Sequence, residues 1–224
     1  RQLQAEERAE IERILAALSE QAREIRQPLA INYHALVALD ALQAKAHFAR
    51  DFDCNPPSVN DRGGLVLYAA RHPLLLEKFK KAENEQTVVP LQIELGKRFN
   101  VLVITGPNAG GKTVAMKTTG LLVLMARMGL HIPASADSEI GIMGNLFVDI
   151  GDQQSIENDL STFSSHTANL RQMVEMARQS DLVLIDEMGS GTDPDEGSAL
   201  AVAVLSHFLQ KNVRCIATTH HGAL

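Results

Sequence analysis

The chain has 224 residues, 45% of which are apolar, and a formal net charge of −6. This length suits one domain of ordinary size with an appendage, or two small domains, and the apolar fraction is sufficient for a buried core. The negative charge argues against a basic nucleic-acid-binding domain, although it does not exclude a local basic patch.

The first part of the chain has the periodicity of amphipathic helices. Over residues 1–27, apolar residues recur at three- and four-residue steps, which predicts a helix that ends or kinks at Pro28. A second helical run covers about residues 30–52, so the two form a helical hairpin or a piece of a longer helical arm. The cluster Asn55-Pro56-Pro57-Ser58 interrupts this pattern. We therefore predict a helical arm over residues 1–54 and a second domain over residues 55–224.

In the second domain, short apolar strands alternate with helices. The predicted strands are residues 65–69, 88–95, 101–105, 146–150, 182–186 and 213–218, and the predicted helices are residues 112–128, 162–179 and 196–210. This alternation predicts an α/β domain with parallel βαβ units. The runs 101–105 and 182–185 are apolar throughout, as is typical of strands that are covered on both faces.

A phosphate-binding loop is the most specific motif of the chain. The pattern is Gly, four free positions, Gly, Lys, and Ser or Thr, and it is matched by Gly106-Pro107-Asn108-Ala109-Gly110-Gly111-Lys112-Thr113. Glycines allow backbone angles that direct N–H groups at anionic oxygens, and the helix that follows adds the positive end of its dipole. We expect Lys112 to bind the β- and γ-phosphates of ATP and the Thr113 hydroxyl to coordinate Mg²⁺. A purely structural glycine turn is the alternative.

A second motif ends an apolar strand in two acidic residues. Residues 182–185 are followed by Asp186 and Glu187, and a buried strand of this kind can place a carboxylate beside the metal of the phosphate loop. Glu187 is then suited to polarise the attacking water as a general base. Alone the pattern is weak, because many strands end in acidic turns. Its pairing with the loop makes it informative.

Three further segments have a structural interpretation, and a functional role is compatible with it. Residues 189–194 form a turn in which Thr192 or Asp193 caps the next helix. Residues 160–166 similarly resemble a hydroxyl-rich helix start, with Ser161 or Thr162 as the N-cap. His220 and His221 end a strand; neighbours on a strand point to opposite faces, which disfavours a zinc site. A hydrogen bond from His220 to the γ-phosphate is the better functional interpretation.

The sequence has the features of a cytoplasmic protein. Cys54 and Cys215 have neither metal nor redox-motif spacing, which indicates reduced thiols. The most apolar stretch, residues 121–125, is far too short to span a membrane, and no secretory signal opens the chain. Because the chain begins with Arg1 rather than methionine, we expect a fragment or a processed form of a longer protein. Because no stretch is long enough to span a membrane, we expect no membrane partner.

The order of these motifs resembles the ATPase domain of MutS proteins, which belong to the same broad class as the ATP-binding-cassette ATPases. The resemblance rests on the phosphate loop, on Asp149-Ile150-Gly151-Asp152-Gln153-Gln154-Ser155-Ile156, and on residues 160–163, 185–187 and 219–220. Residues 161–166, 191–194 and 217–220 are similar to the second bacterial branch, the recombination-suppressing and ribosome-rescue paralogue. The resemblance covers nearly all of the chain.

The resemblance implies a P-loop NTPase fold of the ATP-binding-cassette type, preceded by an α-helical arm. It implies that Lys112 and Thr113 bind phosphate and Mg²⁺, and that Asp186 is the acidic partner of the metal. Glu187 is then the catalytic base and His220 a γ-phosphate sensor. Ser161 is expected to act in trans, by reaching across a homodimer interface to the nucleotide of the other subunit.

The resemblance also sets expectations for the intact protein. Residues 1 to about 52 are expected to be the base of a lever arm that connects the ATPase to a part that grips DNA or ribosomes. Because the chain ends at Leu224, directly after the histidine motif, we expect the domain to be C-terminally truncated. The dimer-stabilising elements and the small MutS-related nuclease domain then lie outside this chain, so nuclease activity is not expected in it.

Several functions stay open at this point. The leading hypothesis is a mechanochemical ATPase in which two copies enclose two nucleotides. A nucleotide-gated interaction module with negligible turnover is one alternative, and the mismatch-recognising ATPase of the same family is another. An ATPase subunit of a membrane transporter is disfavoured by the preceding helical arm and by the lack of a Leu-Ser-Gly-Gly signature.

Overall fold

The structure is a computed structural model that describes residues 2–82, 86–107, 110–151 and 159–220, with the side chains of residues 159–165 outside this description. The chain divides into two compact units, Arg1–Phe48 and Ala49–Leu224. The sequence places the boundary slightly later, after residue 54. The assignment of a separate helical arm stays a prediction.

The first unit is made of two helices, α1 (Gln2–Glu24) and α2 (Arg26–Asp51), of which α2 continues past Phe48 into the second unit. The helix break predicted at Pro28 is present, but three residues earlier: α1 ends at Glu24, whose carbonyl is the i−4 acceptor that a proline cannot bond. Pro28 lies in the first turn of α2, where its missing N–H is not needed. Only Ile25 separates the helices, and the Leu29 N–H donates to its carbonyl at 3.0 Å. A single residue is too short for the loop of a helical hairpin.

The second unit contains eight strands and four further helices among the described residues. In chain order they are β1 (Ser58–Asn60), β2 (Leu65–Ala70), α3 (Pro73–Lys81), β3 (Leu91–Leu95), β4 (Val101–Thr105), α4 (Lys112–Arg127), β5 (Glu139–Gly141), β6 (Leu146–Asp149), α5 (Asp159–Met176), β7 (Leu182–Ile185), α6 (Pro194–Gln210) and β8 (Arg214–Thr219). The predicted α/β class is confirmed. The elements β1, α3 and β5 were not predicted.

The strands form two sheets of different kinds. One has the order β4-β8-β7-β6, and all of its strands are parallel. The other has the order β1-β5-β2-β3, in which β2 is antiparallel to both of its neighbours. The parallel sheet follows from the strand–helix alternation of the sequence, because parallel strands need helical crossovers. The second sheet, which is mixed because β1 and β5 pair in parallel, was not anticipated.

The core that positions the parallel sheet lies between β7, β8 and the two helices α5 and α6. Every residue of β7 and of β8 is buried, and Phe208 of α6 is completely inaccessible to solvent. Cys215 in β8 is also fully buried, and burial raises the pKa of its thiol to about 12. With two apolar strands at its centre, the sheet is a rigid base for the turns that leave its edge.

Arg214, the first residue of β8, connects the two sheets. Its guanidinium donates to the carbonyl of Arg62 at 2.9 Å and to the carbonyl of Gln179. Arg62 precedes β2, and Gln179 precedes β7. Gly63 leaves room for this side chain, because a Cβ there would lie 2.3 Å from a guanidinium nitrogen of Arg214. Burial lowers the pKa of Arg214, and the hydrogen bonds to carbonyls offset part of the cost of burying its charge.

Candidate nucleotide-binding site

The carboxyl ends of the parallel strands bring the predicted motifs to one edge of the sheet. Thr105, the last residue of β4, pairs with Thr219, and Ile185, the last residue of β7, pairs with Ala217. The phosphate loop, the acidic pair and His220 therefore leave adjacent strands at about the same level. Since β8 lies between β4 and β7, the two outer strands are about 10 Å apart, a distance that side chains and a phosphate can bridge.

The loop after β4 has the backbone that its glycines permit. Gly106 has φ 138° and Gly111 has φ 79°, and both values are unfavourable for residues with a Cβ. The Gly110 N–H donates to the Pro107 carbonyl at 3.0 Å. Lys112 is buried, and its ammonium group donates to the Gly106 carbonyl, so the side chain folds back over the loop. Asn108 and Ala109, also predicted to bind the nucleotide, lie outside the described residues.

The helix after the loop begins with uncapped amides. Gly111 occupies the N-cap position of α4, and within the described chain no side chain accepts a hydrogen bond there and no acidic residue lies in the first turn. The first N–H groups of a helix need acceptors, and an anion at this position also interacts favourably with the helix dipole. Thr113, in the first turn, is half-buried beside this end. The arrangement is suited to a phosphate group.

The acidic pair is fixed by hydrogen bonds to its neighbouring strand. Asp186 is only 4% exposed, and its Oδ1 accepts a hydrogen bond from the Thr218 hydroxyl. The Thr218 Oγ1 in turn accepts from the Glu187 N–H at 2.9 Å, and the Thr218 carbonyl accepts from the Met188 N–H at 2.8 Å. One threonine therefore orients the whole turn. Sequence reasoning did not single out this role of Thr218.

Glu187 has an unusual backbone conformation. Its φ is 50°, in the left-handed region that costs an L-residue about 1 kcal/mol. The contacts to Thr218, together with a 3.0 Å bond from the Ser190 N–H to the Glu187 carbonyl, stabilise this geometry. Strained backbone of this kind is concentrated at functional sites. It turns the chain sharply after β7, directly behind the predicted metal ligand.

Asp149, at the end of β6, is the centre of a second polar cluster. Its side chain is 4% exposed; Oδ2 lies 2.7 Å from Nδ1 of His166, and Oδ1 accepts from the Asn169 amide at 2.9 Å. Asp149 and His166 line a small cavity together with Asp186 and Glu187. The cluster was missed. A usable signal was present, because Asp149 also follows an apolar strand and its two partners are three residues apart on one helix.

The structure gives only part of the surroundings of Ser161 and His220. Ser161 lies in the first turn of α5, and its side chain is outside the description. Because α5 begins at Asp159, neither Ser161 nor Thr162 is the N-cap, which corrects that interpretation. His220 directly follows β8 and is exposed, whereas His221 and the segment 152–158 lie outside the described residues.

The turn after the acidic pair agrees with the sequence. Asp193 caps α6, accepting from the Asp195 N–H at 3.0 Å, and Pro194 occupies the first helical position. Within the described ranges, no group of three or more His, Cys, Asp or Glu residues is arranged to hold a metal ion. A site built from Thr113, Asp186 and nucleotide oxygens needs no such group.

Comparison with known proteins identifies the family. The model for MutS domain V matches residues 102–224, which is more than half of the chain and includes the loop, the acidic pair and the histidine motif. The chain belongs to the MutS family. This confirms the resemblance seen in the sequence.

Three relatives indicate the branch of the MutS family. The chain is 46% identical over 224 residues to "Endonuclease MutS2" of Halalkalibacterium halodurans and 47% identical over 224 residues to that of Finegoldia magna. It is 47% identical over 223 residues to "Putative endonuclease MutS2" of Bacillus subtilis. Each match covers the whole of this chain but only 27–28% of the relative. The similarity confirms a MutS2-type segment of the second bacterial branch.

None of the helices in the part of the chain that the structure describes is both long enough and apolar enough to cross a membrane.

Proposed function

We propose that this MutS family chain binds and hydrolyses ATP with Mg²⁺, as the motor segment of a longer dimeric protein in the cytoplasm. We assign it a P-loop NTPase fold of the ATP-binding-cassette type. The observation that carries the proposal is the convergence of an open glycine loop and a buried acidic strand end on one edge of a parallel sheet. In open parallel sheets, ligands bind at this edge.

The residues present fit a magnesium–phosphate group. Asp186 is a buried carboxylate without a basic partner within ion-pair distance among the described residues, and a buried carboxylate is stabilised by a cation. Thr113 and Asp186 are the residues that we assign to the metal. Magnesium supplies charge neutralisation and alignment of the β- and γ-phosphates.

We assign the following steps to the residues of this chain. The backbone N–H groups that line the loop, to which Pro107 contributes none, and the Lys112 ammonium bind the phosphates and neutralise charge that develops on them. Glu187 accepts a proton from the attacking water, and His220 donates a hydrogen bond to the γ-phosphate. Ser161 of the partner subunit completes the site in trans. Two sites of this kind in a symmetric dimer close together when both nucleotides are bound.

We place the macromolecular substrate mainly outside this chain. The net charge of −6 gives little attraction for a nucleic-acid backbone, so we assign contacts with DNA, with ribosomes, or with both to other parts of the longer protein. The relatives are named endonucleases, and we assign that activity to a region beyond these residues as well. Residues 1–54 are then the base of the arm through which ATP-driven closure is transmitted.

The test substitutes Glu187→Gln, which preserves shape but removes the base. We expect ATP affinity to be unchanged or increased, and hydrolysis to fall by about two to four orders of magnitude. Calorimetry measures the first and phosphate release the second. Glu175→Gln is a matched control, because Glu175 is exposed on α5 and its ion pair among the described residues is with Arg171 on the same helix.

Two results would count against the assignment. Hydrolysis at the parental rate by the Glu187→Gln protein would show that Glu187 is not the base. A parental protein that is folded but releases no phosphate at any concentration would leave only a nucleotide-gated module. A rate that rises with the square of protein concentration supports catalysis by a dimer.

A further inference from the structure

The starting observation is that one buried carboxylate uses both of its oxygens to hold helix α5. Asp149 contacts His166 through one oxygen, at 2.7 Å, and Asn169 through the other, at 2.9 Å. His166 and Asn169 are three residues apart and so lie on the same face of the helix. The contact is directional, because two hydrogen bonds to a planar carboxylate restrict the rotation of the helix as well as its distance.

The same residue is also joined to the acidic strand end. The Asp149 carbonyl accepts a hydrogen bond from the Asp186 N–H at 2.8 Å, and Asp149 pairs with Ile185 in the parallel sheet. Asp149 therefore connects α5, through its side chain, to the turn that carries Asp186 and Glu187, through its backbone. The backbone bonds fix Asp149 relative to the turn, so its side chain holds α5 from a fixed point.

The two halves of α5 are held differently. The described buried apolar residues of the helix, Leu170 and Met173, belong to the core cluster and lie beyond His166 in the chain. They hold the carboxyl-terminal half against the sheet. The hydrogen bonds of Asp149 act at His166, about one turn before Leu170, and at Asn169, directly before Leu170. Ser161 precedes His166 by five residues, about 7.5 Å along the helix axis.

We propose that Asp149, His166 and Asn169 form a positioning latch, which sets the direction of the first turn of α5 relative to the acidic strand end. The latch presents Ser161 to the nucleotide of the other subunit, and none of its three residues touches substrate. This inference rests on the proposed function, because it requires a dimeric ATPase. It predicts that damage to the latch appears in the site of the neighbouring subunit and not in the subunit's own phosphate loop.

The test uses His166→Phe in the protein at its natural length, since Phe keeps a ring of similar size but cannot hydrogen-bond to Asp149. We expect hydrolysis to fall about 10- to 100-fold, the effect typical of a misplaced site residue, while ATP binding to the variant's own loop changes less than about twofold. Asn169→Ala removes only the second bond and is expected to show a smaller loss in the same direction.

Mixed dimers distinguish a latch that acts in trans from one that only supports the fold. A Lys112→Ala subunit has a defective loop but an intact latch, so a mixed dimer with His166→Phe contains one complete composite site. An equal mixture of the two impaired proteins should recover up to about one quarter of parental hydrolysis, because half of its dimers are mixed and each has one complete site of two. Each variant alone should keep no more than about a tenth of the parental rate.

His207→Phe is the matched control. His207 contacts the Val174 carbonyl at 3.2 Å, so it also holds α5, but at the other end of the helix. We expect this variant to keep the parental rate of hydrolysis. If His207→Phe loses hydrolysis as severely as His166→Phe, hydrolysis depends on attachment of the whole helix and not on the direction of its first turn. The latch is then refuted.

The remaining outcomes separate this inference from the proposed function. If the parental protein hydrolyses ATP but the mixture stays inactive, the cluster acts within its own subunit and the latch is wrong. Parental hydrolysis in His166→Phe has the same consequence. If the parental protein itself does not hydrolyse ATP, the proposed function is wrong, and the latch, which rests on it, is wrong as well. Recovery in the mixture together with unchanged ATP binding supports both.

Discussion

The turn after β4 and the turn after β7 leave the same edge of the parallel sheet, and both contain glycines. At Gly106, Gly110 and Gly111, an added Cβ would meet no heavy atom of the described residues within 4 Å. At Gly197 an added Cβ would lie 2.2 Å from the Gly189 carbonyl oxygen, and at Gly189 it would lie 2.7 Å from the Gly197 carbonyl oxygen.

The difference indicates that the two turns require glycine for different reasons. The loop after β4 has space around its glycines, so packing does not demand them. There the demand comes from backbone angles at two positions and from the close approach of a ligand to the amides. In the turn after β7, the start of α6 presses directly against the backbone that follows Glu187. The loop after β4 leaves the open space that we propose for the phosphates, and the turn after β7 packs tightly behind the acidic pair.

The largest expected effect on stability tests the packed turn. Gly197→Ala should lower the free energy of unfolding by about 1–3 kcal/mol, because the new Cβ meets a backbone oxygen that has little room to move. The higher helix propensity of Ala offsets only part of this, about 1 kcal/mol. Urea unfolding measures the change, with Ser198→Ala in the same turn of α6 as the control.

Hydrolysis should fall in the Gly197→Ala protein as well, since the displaced turn begins two residues after Glu187. A variant as stable as the parental protein would mean that α6 and the turn separate easily. Close packing would then not be the reason why the turn after β7 requires glycine, and the two turns would not differ in this respect.

Gly110→Ala should have the opposite profile. No positive φ is required at Gly110 and nothing surrounds it, so the free energy of unfolding should change by no more than about 0.5 kcal/mol. ATP affinity should nevertheless fall about tenfold, or about 1.4 kcal/mol, because the methyl group occupies space that the phosphates approach. Calorimetry with ATP measures this.

Adenosine, which lacks phosphates, is the matched ligand control for Gly110→Ala. Its binding should be the same in both proteins. Unchanged ATP affinity in a folded Gly110→Ala protein would indicate that the space around this glycine does not receive the phosphates.

The comparison also shows how far the sequence alone can predict such a site. The loop after β4 is a local pattern, since its glycines, Lys112 and Thr113 are consecutive, and the apolar strand and the helix on either side confirm the context. The acidic pair after β7 was found in the same way. Patterns of this kind predict which strand end carries chemistry because parallel strands share one ligand-binding edge.

Contacts between distant segments were out of reach. Asp149 at a strand end and the spacing of its two partners were a local signal, but their contact depends on how α5 is rotated over the end of β6. The approach of Gly197 to Gly189 depends on the path of a turn and leaves no local pattern. The mixed sheet was missed because β1 and β5 have only three residues each and pair, in parallel, over about 80 positions, as Ser58 does with Glu139. The roles of Ser161 and His220 stay predictions.

The smallest expected effect concerns the surroundings of α4, the helix that follows the open loop. His72 precedes α3, and its Nδ1 is buried without a hydrogen-bond partner among the described residues. Burial, and secondarily the charge of Lys117 on α4, lower the pKa of His72 below its ordinary value of 6.5. Between the lowered pKa and 6.5, the unfolded chain therefore binds more protons at this residue than the folded protein does.

The contribution of His72 to stability is thus complete above the unfolded pKa and decreases as the pH falls through this window. In His72→Gln, which has no titrating group here, unfolding free energies measured at about pH 7.5 and about pH 5.5 should differ less than in the parental protein. His131→Gln, a change at an exposed histidine, serves as the control. An identical pH dependence in His72→Gln and the parental protein would mean that His72 takes up its proton as readily when folded as when unfolded. Burial and the charge of Lys117 would then not disfavour the protonated form of His72.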